Sequence, residues 1–187
     1  MIKDIFKVEL YKVKLTNIDN ESLVDYIKGK GDITYDNEIG NRNKNDVDVL
    51  NNSLFKDLNN QVTKHVNKLF HMTSHDHYHL RLNQGWYNKE SDDLITVPHK
   101  HQHSVYSAVY YPISIDGQIR FQNPAHSVNY MLESKHIKNW NEYIGDYHNE
   151  KVRTGDLIIF KSGLFHWVMP SKYDRCSVAY NTEVISE

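Results

Sequence analysis

At 187 residues, with 39% apolar and 25% charged side chains, the chain is long enough for one globular domain with its own core, and its length does not call for a second. Its 22 basic and 24 acidic residues nearly cancel and form no basic cluster, so there is no strong nucleic-acid footprint and no reason to invoke an anionic membrane. The single cysteine, Cys176, excludes an internal disulfide and a multi-cysteine zinc site, and no apolar run is long enough to span a bilayer.

The first predicted element is a half-buried strand over Phe6 to Leu15, where apolar and polar residues alternate without the continuous apolar stretch of a signal peptide; the lone cysteine is what predicts a reducing, cytoplasmic setting. Asn20 or Ser22 is placed to cap a short helix running through Ile27. Residues 29–45 are polar and glycine-bearing and read as an exposed loop, a candidate lid. From Asp46 to Phe70, Leu50, Leu54, Leu58, Val62, Val66 and Leu69 recur at helical spacing, which predicts an amphipathic helix packed on a sheet.

From His79 the pattern changes to short runs broken by Gly, Pro, Asn and Asp: LRLNQGWYN, LITVPH, VYSAVYYPI, GQIRFQNP, SVNYML, KVR, GDLIIF, HWVM and RCSVAYNTEVI. Many short strands with frequent turn signals predict a sandwich or small barrel. The expected architecture is therefore mainly β with flanking helices in one domain, 1–187. Residues 1–78 supply a strand and supporting helices, and 79–187 the β body.

Twelve histidines prove little by number, so their placement has to decide. His99, His101 and His103 follow an apolar strand, and in an extended chain alternate side chains share a face, so two of them can chelate one metal ion. His101 belongs to either pair, with His99 or with His103 as its companion. His75, His77 and His79 also alternate, but beside Ser74 and Asp76 they read as an exposed lead into a strand, without a metal role. Trp86 and Trp167 read as core residues, and Asn88 as a possible contact to a bound molecule. The polar stretch from Ala125 to Asn149 reads as an insertion over the barrel mouth.

The C-terminal segment GDLIIFKSGLFHWVMPSKYDRCSVAYNT raises the significance of the first histidine group. A loop presents His166, and nine residues later Arg175 opens a strand in which Arg175 and Ser177 face one way. An arginine pointing into a barrel is costly unless an anion meets it, and its planar fork suits a carboxylate.

Taken in order, Trp86-Tyr87-Asn88, His99-Lys100-His101, Ser104, Val109-Tyr110-Tyr111, Gly155 to Phe160, His166 and Arg175 resemble the Fe(II)/2-oxoglutarate-dependent dioxygenases with a double-stranded β-helix (jelly-roll) core. The pattern is most similar to a branch of oxygenases from phages and marine bacteria. Tyr110-Tyr111 followed by Gly117 to Phe121 also resembles the prolyl hydroxylases. The resemblance spans roughly residues 80 to 182.

It implies Fe(II) held by His99, His101 and His166, and 2-oxoglutarate as co-substrate held by Arg175 with help from Tyr111 and Ser177. It further implies dioxygen as a partner, hydroxylation of a small-molecule or protein substrate, and a host-cytoplasmic location if the gene is phage-borne. One position departs from the superfamily pattern, because His101 stands where a carboxylate ligand is usual. A chelating dianion can balance the iron charge without that carboxylate. Two other readings stand beside this one: a cupin-like protein whose histidines bind metal without 2-oxoglutarate, and a structural or binding protein that keeps the fold without the chemistry.

Overall fold

The computed structural model describes residues 7–30, 35–36, 40–41, 48–90, 96–125, 134–138 and 145–186. Strand β1 (Leu10–Lys14) leads into helix α1 (Asn20–Gly29). Asp19 caps this helix in place of the expected Asn20 or Ser22: its carboxylate accepts from the Ser22 N–H at 3.1 Å and from the Ser22 hydroxyl at 2.7 Å. That satisfies a donor with no partner inside the helix. Within the stretch read as a loop, two-residue strands β2 (Tyr35–Asp36) and β3 (Gly40–Asn41) pair with each other. Most of the proposed lid lies outside the described residues.

The single helix expected over residues 46–70 is divided into α2 (Asp48–Asn51), a 3-10 turn (Ser53–Phe55) and α3 (Lys56–Phe70). The break is at Asn52, whose backbone is extended and whose side chain accepts from the Leu54 N–H at 3.0 Å. Such a local bond competes with helical backbone bonding. The break brings Phe55 into line with Leu58, Val62 and Val66, and all four are buried.

Eight further strands follow: β4 (Tyr78–Glu90), β5 (Thr96–His99), β6 (Tyr106–Ile113), β7 (Gly117–Gln122), β8 (Tyr147–Val152), β9 (Asp156–Lys161), β10 (His166–Val168) and β11 (Arg175–Ser186). Their antiparallel pairing makes a major sheet, β1-β9-β6-β11-β4, and a minor sheet, β5-β10-β7-β8. The predicted run SVNYML lies outside the described residues, as does most of the Ala125 to Asn149 insertion.

The helices cover one face of the major sheet, packing Leu23, Ile27, Leu58 and Val62 against Tyr87, Tyr110 and Val178. The other face meets the minor sheet through Tyr111, Ile119, Phe121, Val152, Ile158 and Phe160. The central strands are thus covered on both sides, which is why LIIF and CSVAY show no polar alternation. Strand β7, with one face on solvent, alternates cleanly between buried and half-buried. This is a double-stranded β-helix with helices on its outer face.

The seam between the sheet edges is closed by Lys12 of β1, whose ammonium lies 2.9 Å from Glu150 and 3.3 Å from Asp156. The tight turn that opens β9 depends on Gly155, at φ 85°, a conformation that an L side chain strains to adopt.

One irregularity positions the site. Strand β4 pairs with β11 as Gln84 with Asn181 and then Leu82 with Thr182, so Asn83 is an extra residue in a β-bulge. The bulge changes the facing of β4. Tyr87 on one side of it and Leu80 on the other both pack toward the helices, while Asn83 and Gln84 both reach the cavity between the sheets.

Candidate metal centre

The sheets enclose a cavity of about 300 Å³ whose wall includes His99, His101 and His166. His99 ends β5 and His166 begins β10, and the two are register partners in the minor sheet. His101 follows β5 and is tied by its backbone N–H to Ser162 O at 2.9 Å, in the turn between β9 and β10. The ring centroids stand 4.3 Å (99–166), 5.1 Å (99–101) and 5.2 Å (101–166) apart. One ring nitrogen from each lies within 4.8 Å of the others, close enough to share a metal ion.

Each ring is also fixed in tautomer. The Nδ1 of His99 lies 2.8 Å from Val97 O, that of His166 2.9 Å from Leu164 O, and that of His101 2.5 Å from Asn181 Oδ1. All three neighbours are oxygens that accept, so in the neutral imidazole each Nδ1 carries the proton and each Nε2 keeps its lone pair. Metal-binding histidines characteristically donate their other N–H to an oxygen in this way. Burial, and next the neighbouring His99, push His166 from 6.5 down to about 3, so this ring is neutral and ready to coordinate at any pH near neutrality.

The inner face of the major sheet runs from polar to apolar to polar beneath the histidines. Ser107 and Asn181 pair across β6 and β11 at the His101 end, and Val109 and Ala179 pair next. Tyr111, Ser177 and Arg175 lie further along the same faces. Ser177 lines the cavity and accepts from Asn88 Nδ2 at 3.1 Å. Arg175 and Tyr111 are buried but do not form part of the cavity wall. Arg175 is 1% exposed, and its Nη2 donates to Met169 O at 2.7 Å.

The sequence pattern of the family described as "Putative 2OG-Fe(II) oxygenase" matches residues 84–181, just over half of the chain, a span that includes His99, His101, His166 and Arg175. The chain belongs to this family. No curated protein matches it. Among solved structures, a Pseudomonas putida prolyl-4-hydroxylase is similar over 94% of this chain and 92% of its own, at 14% identity and TM-score 0.61. HygX from Streptomyces hygroscopicus, solved with nickel, 2-oxoglutarate and hygromycin B, covers 94% of this chain and 82% of its own, at 14% identity and TM-score 0.61. The carbocyclase SnoK from nogalamycin biosynthesis covers 96% and 82%, at 10% identity and TM-score 0.67. At such identities these likenesses speak for the fold.

Within the oxygenase framework, two sequence expectations are corrected, those for His103 and Trp167. The extended run that would align His103 with His99 and His101 ends at His99; the chain turns at Gln102 and His103, and His103 is exposed and outside the three-histidine group. Trp167 is not a core residue. It lies half-buried on the outer side of the minor sheet, 6.0 Å from the Tyr147 ring and 5.7 Å from the Arg120 guanidinium. Trp86 is 8% exposed, yet it lines the cavity 5.5 Å from the His101 ring. His75 and His77 sit exposed in the turn before β4 and His79 is half-buried within it; they do not belong to the metal-competent group among the described residues.

Sequence reading missed Gln84, Ser107 and Asn181. A signal was present in the first of these: the amide pair Asn83-Gln84 interrupts an otherwise regular alternation in LRLNQGWYN.

Proposed function

We propose that the chain is an Fe(II)- and 2-oxoglutarate-dependent oxygenase that hydroxylates a small-molecule or protein substrate. The observation that carries this reading is the convergence of three imidazoles, each with Nδ1–H committed to an oxygen and Nε2 left to bind metal. Three neutral nitrogen donors suit a divalent first-row ion such as Fe(II), and with no protein carboxylate among them they leave its full charge for an anionic co-substrate to balance.

In this reading His99, His101 and His166 hold the ion through Nε2. Arg175 holds the far carboxylate of 2-oxoglutarate, with Tyr111 and Ser177 beside it. Two features support that role for Arg175. It is a permanent charge at 1% exposure, for which a carboxylate is the natural compensation. It also stands two residues from Ser177, which lines the cavity, so the two side chains lie on the same side of β11. When bound, the iron, the 2-oxo acid and dioxygen supply the oxidant for a substrate C–H bond, with succinate and carbon dioxide as co-products.

The residues of this chain orient and enclose. Val109 and Ala179 keep water from the middle of the cavity, while Trp86 and Asn88 line the space left for substrate.

Calorimetric titration of the metal-free protein with Mn(II) tests the metal assignment. One ion per chain is expected in the wild type and none in His166→Ala, with folding of the variant checked by circular dichroism. Unchanged stoichiometry in His166→Ala would refute it.

A further inference from the structure

His99 and His166 use the same local device, in which the ring turns back to the carbonyl two residues earlier in its own chain. In both, a backbone carbonyl is the acceptor at Nδ1. His101 is different. Its Nδ1 meets Asn181 Oδ1 at 2.5 Å and Ser107 Oγ at 3.3 Å, so its orientation rests on side chains, the nearer of them 80 residues away in sequence.

An amide can present either end to a ring, and only its oxygen selects the tautomer that leaves Nε2 open. Two contacts choose the oxygen here. The Asn181 Nδ2 donates to Gln84 Oε1 at 2.7 Å, and the Ser107 hydroxyl donates to Asn181 Oδ1 at 3.0 Å. Turning the amide over would set oxygen against oxygen at Gln84. It would also set an N–H against the Nδ1–H of His101. The β4 bulge completes the arrangement, because it carries Gln84 into the cavity opposite Asn181, which is itself only 7% exposed.

We propose that Asn181, held in its orientation by Gln84, is the positioning residue that fixes His101 as an Nε2 metal donor. This rests on the reading of the three histidines as a metal centre. In this role Asn181 acts through His101, whose Nδ1 it meets, and not as a metal ligand. Without it the ring can protonate at Nε2, presenting an N–H to the metal where a lone pair is needed.

Co(II) serves as the probe, since its visible spectrum reports ligand number and geometry independently of turnover. Calorimetry and spectra are taken on the wild type, Asn181→Leu, Asn181→Asp, Gln84→Leu and His166→Ala, with thermal melts to establish folding. Asn181→Leu is expected to bind Co(II) about 10- to 100-fold more weakly with an altered spectrum, as losses of outer-shell partners do. Asn181→Asp, which still offers an acceptor oxygen, is expected to remain within about threefold of wild type, and Gln84→Leu to fall between the two.

A folded Asn181→Leu that binds Co(II) like wild type overturns the proposal. So does a folded Asn181→Asp that loses binding, since the acceptor would then be irrelevant. If Asn181→Leu does not fold, Gln84→Leu decides: wild-type affinity and spectrum overturn the proposal, and weakened binding with a changed spectrum sustains it. If Co(II) binds the wild type and is lost in His166→Ala but is indifferent to Asn181, this inference alone fails. If the wild type binds no Co(II), the metal centre itself is wrong.

Discussion

Gly117→Ala should destabilise the protein and loosen its hold on an anion at the same time. Gly117 opens β7 at its closest approach to Arg175. A Cβ added there would lie 2.9 Å from Arg175 Cδ, 3.0 Å from Val152 Cγ2 and nearer still to Ser114 Oγ. None of the three can move away without loss. Arg175 and Val152 are each 1% exposed, and the Ser114 hydroxyl donates to Val152 O at 3.0 Å. Rotating Ser114 away gives up a buried hydrogen bond, about 1 kcal/mol net. Shifting the packed neighbours costs about 1 to 3 kcal/mol, as overpacking does. The sum is about 2 to 4 kcal/mol, which for a urea m-value of about 2 kcal/mol/M moves the unfolding midpoint down by about 1 to 2 M. The same displacement should weaken 2-oxoglutarate binding by the folded, metal-loaded variant. A midpoint within about 0.25 M of wild type, with unchanged co-substrate affinity, would show that Arg175 is not packed on Gly117 in this way.

In the metal-free protein stability should fall as pH drops, because the folded-state value of His166, about 3, lies below the ordinary 6.5 of the unfolded chain. A depressed base contributes its full stabilisation above pH 6.5 and loses it progressively toward pH 3, so about 2 kcal/mol should disappear between pH 7 and pH 5. Urea melts at the two pH values check this, and a slope that persists unchanged in His166→Gln would contradict it. Replacing His75, His77 and His79 together by Gln should leave Mn(II) affinity within a few-fold of wild type. A loss matching that of His166→Ala would place the metal at the wrong cluster.

The β body was legible because its strands carry their own punctuation: GDLIIF follows a turn that needs Gly155, and β7 alternates because only one of its faces is buried. The meeting of His99, His101 and His166 was legible for a related reason, since strand ends with short turns leave few places for a side chain to go. What escaped were effects that depend on a second segment. His103 looked equivalent to His99 only while the chain was taken as extended, and the turn at Gln102 removes it. Periodicity alone runs straight through Asn52, whose side chain offers the backbone a better partner than the helix does. Trp167 reads as core from its type, but it alternates with His166 and must face outward when that histidine faces in. Asn181 and Gln84 are nearly a hundred residues apart in sequence, and their pairing exists only through the β4–β11 register. No local pattern announces it.

Anaerobic titration of the Fe(II)-loaded protein with 2-oxoglutarate, followed by the visible charge-transfer band that the two form together, tests the central claim most directly. The wild type should develop the band. Arg175→Ala should need far more 2-oxoglutarate to reach it, since losing a buried arginine to carboxylate contact costs about 2 to 5 kcal/mol, or roughly 30-fold to several thousand-fold in affinity. Arg175→Lys, which keeps the charge but not the fork, should fall between them. Absence of the band in the wild type, or an Arg175→Ala titration that overlays it, would contradict 2-oxoglutarate dependence and leave a cupin-like metal protein or a binding protein on the same fold.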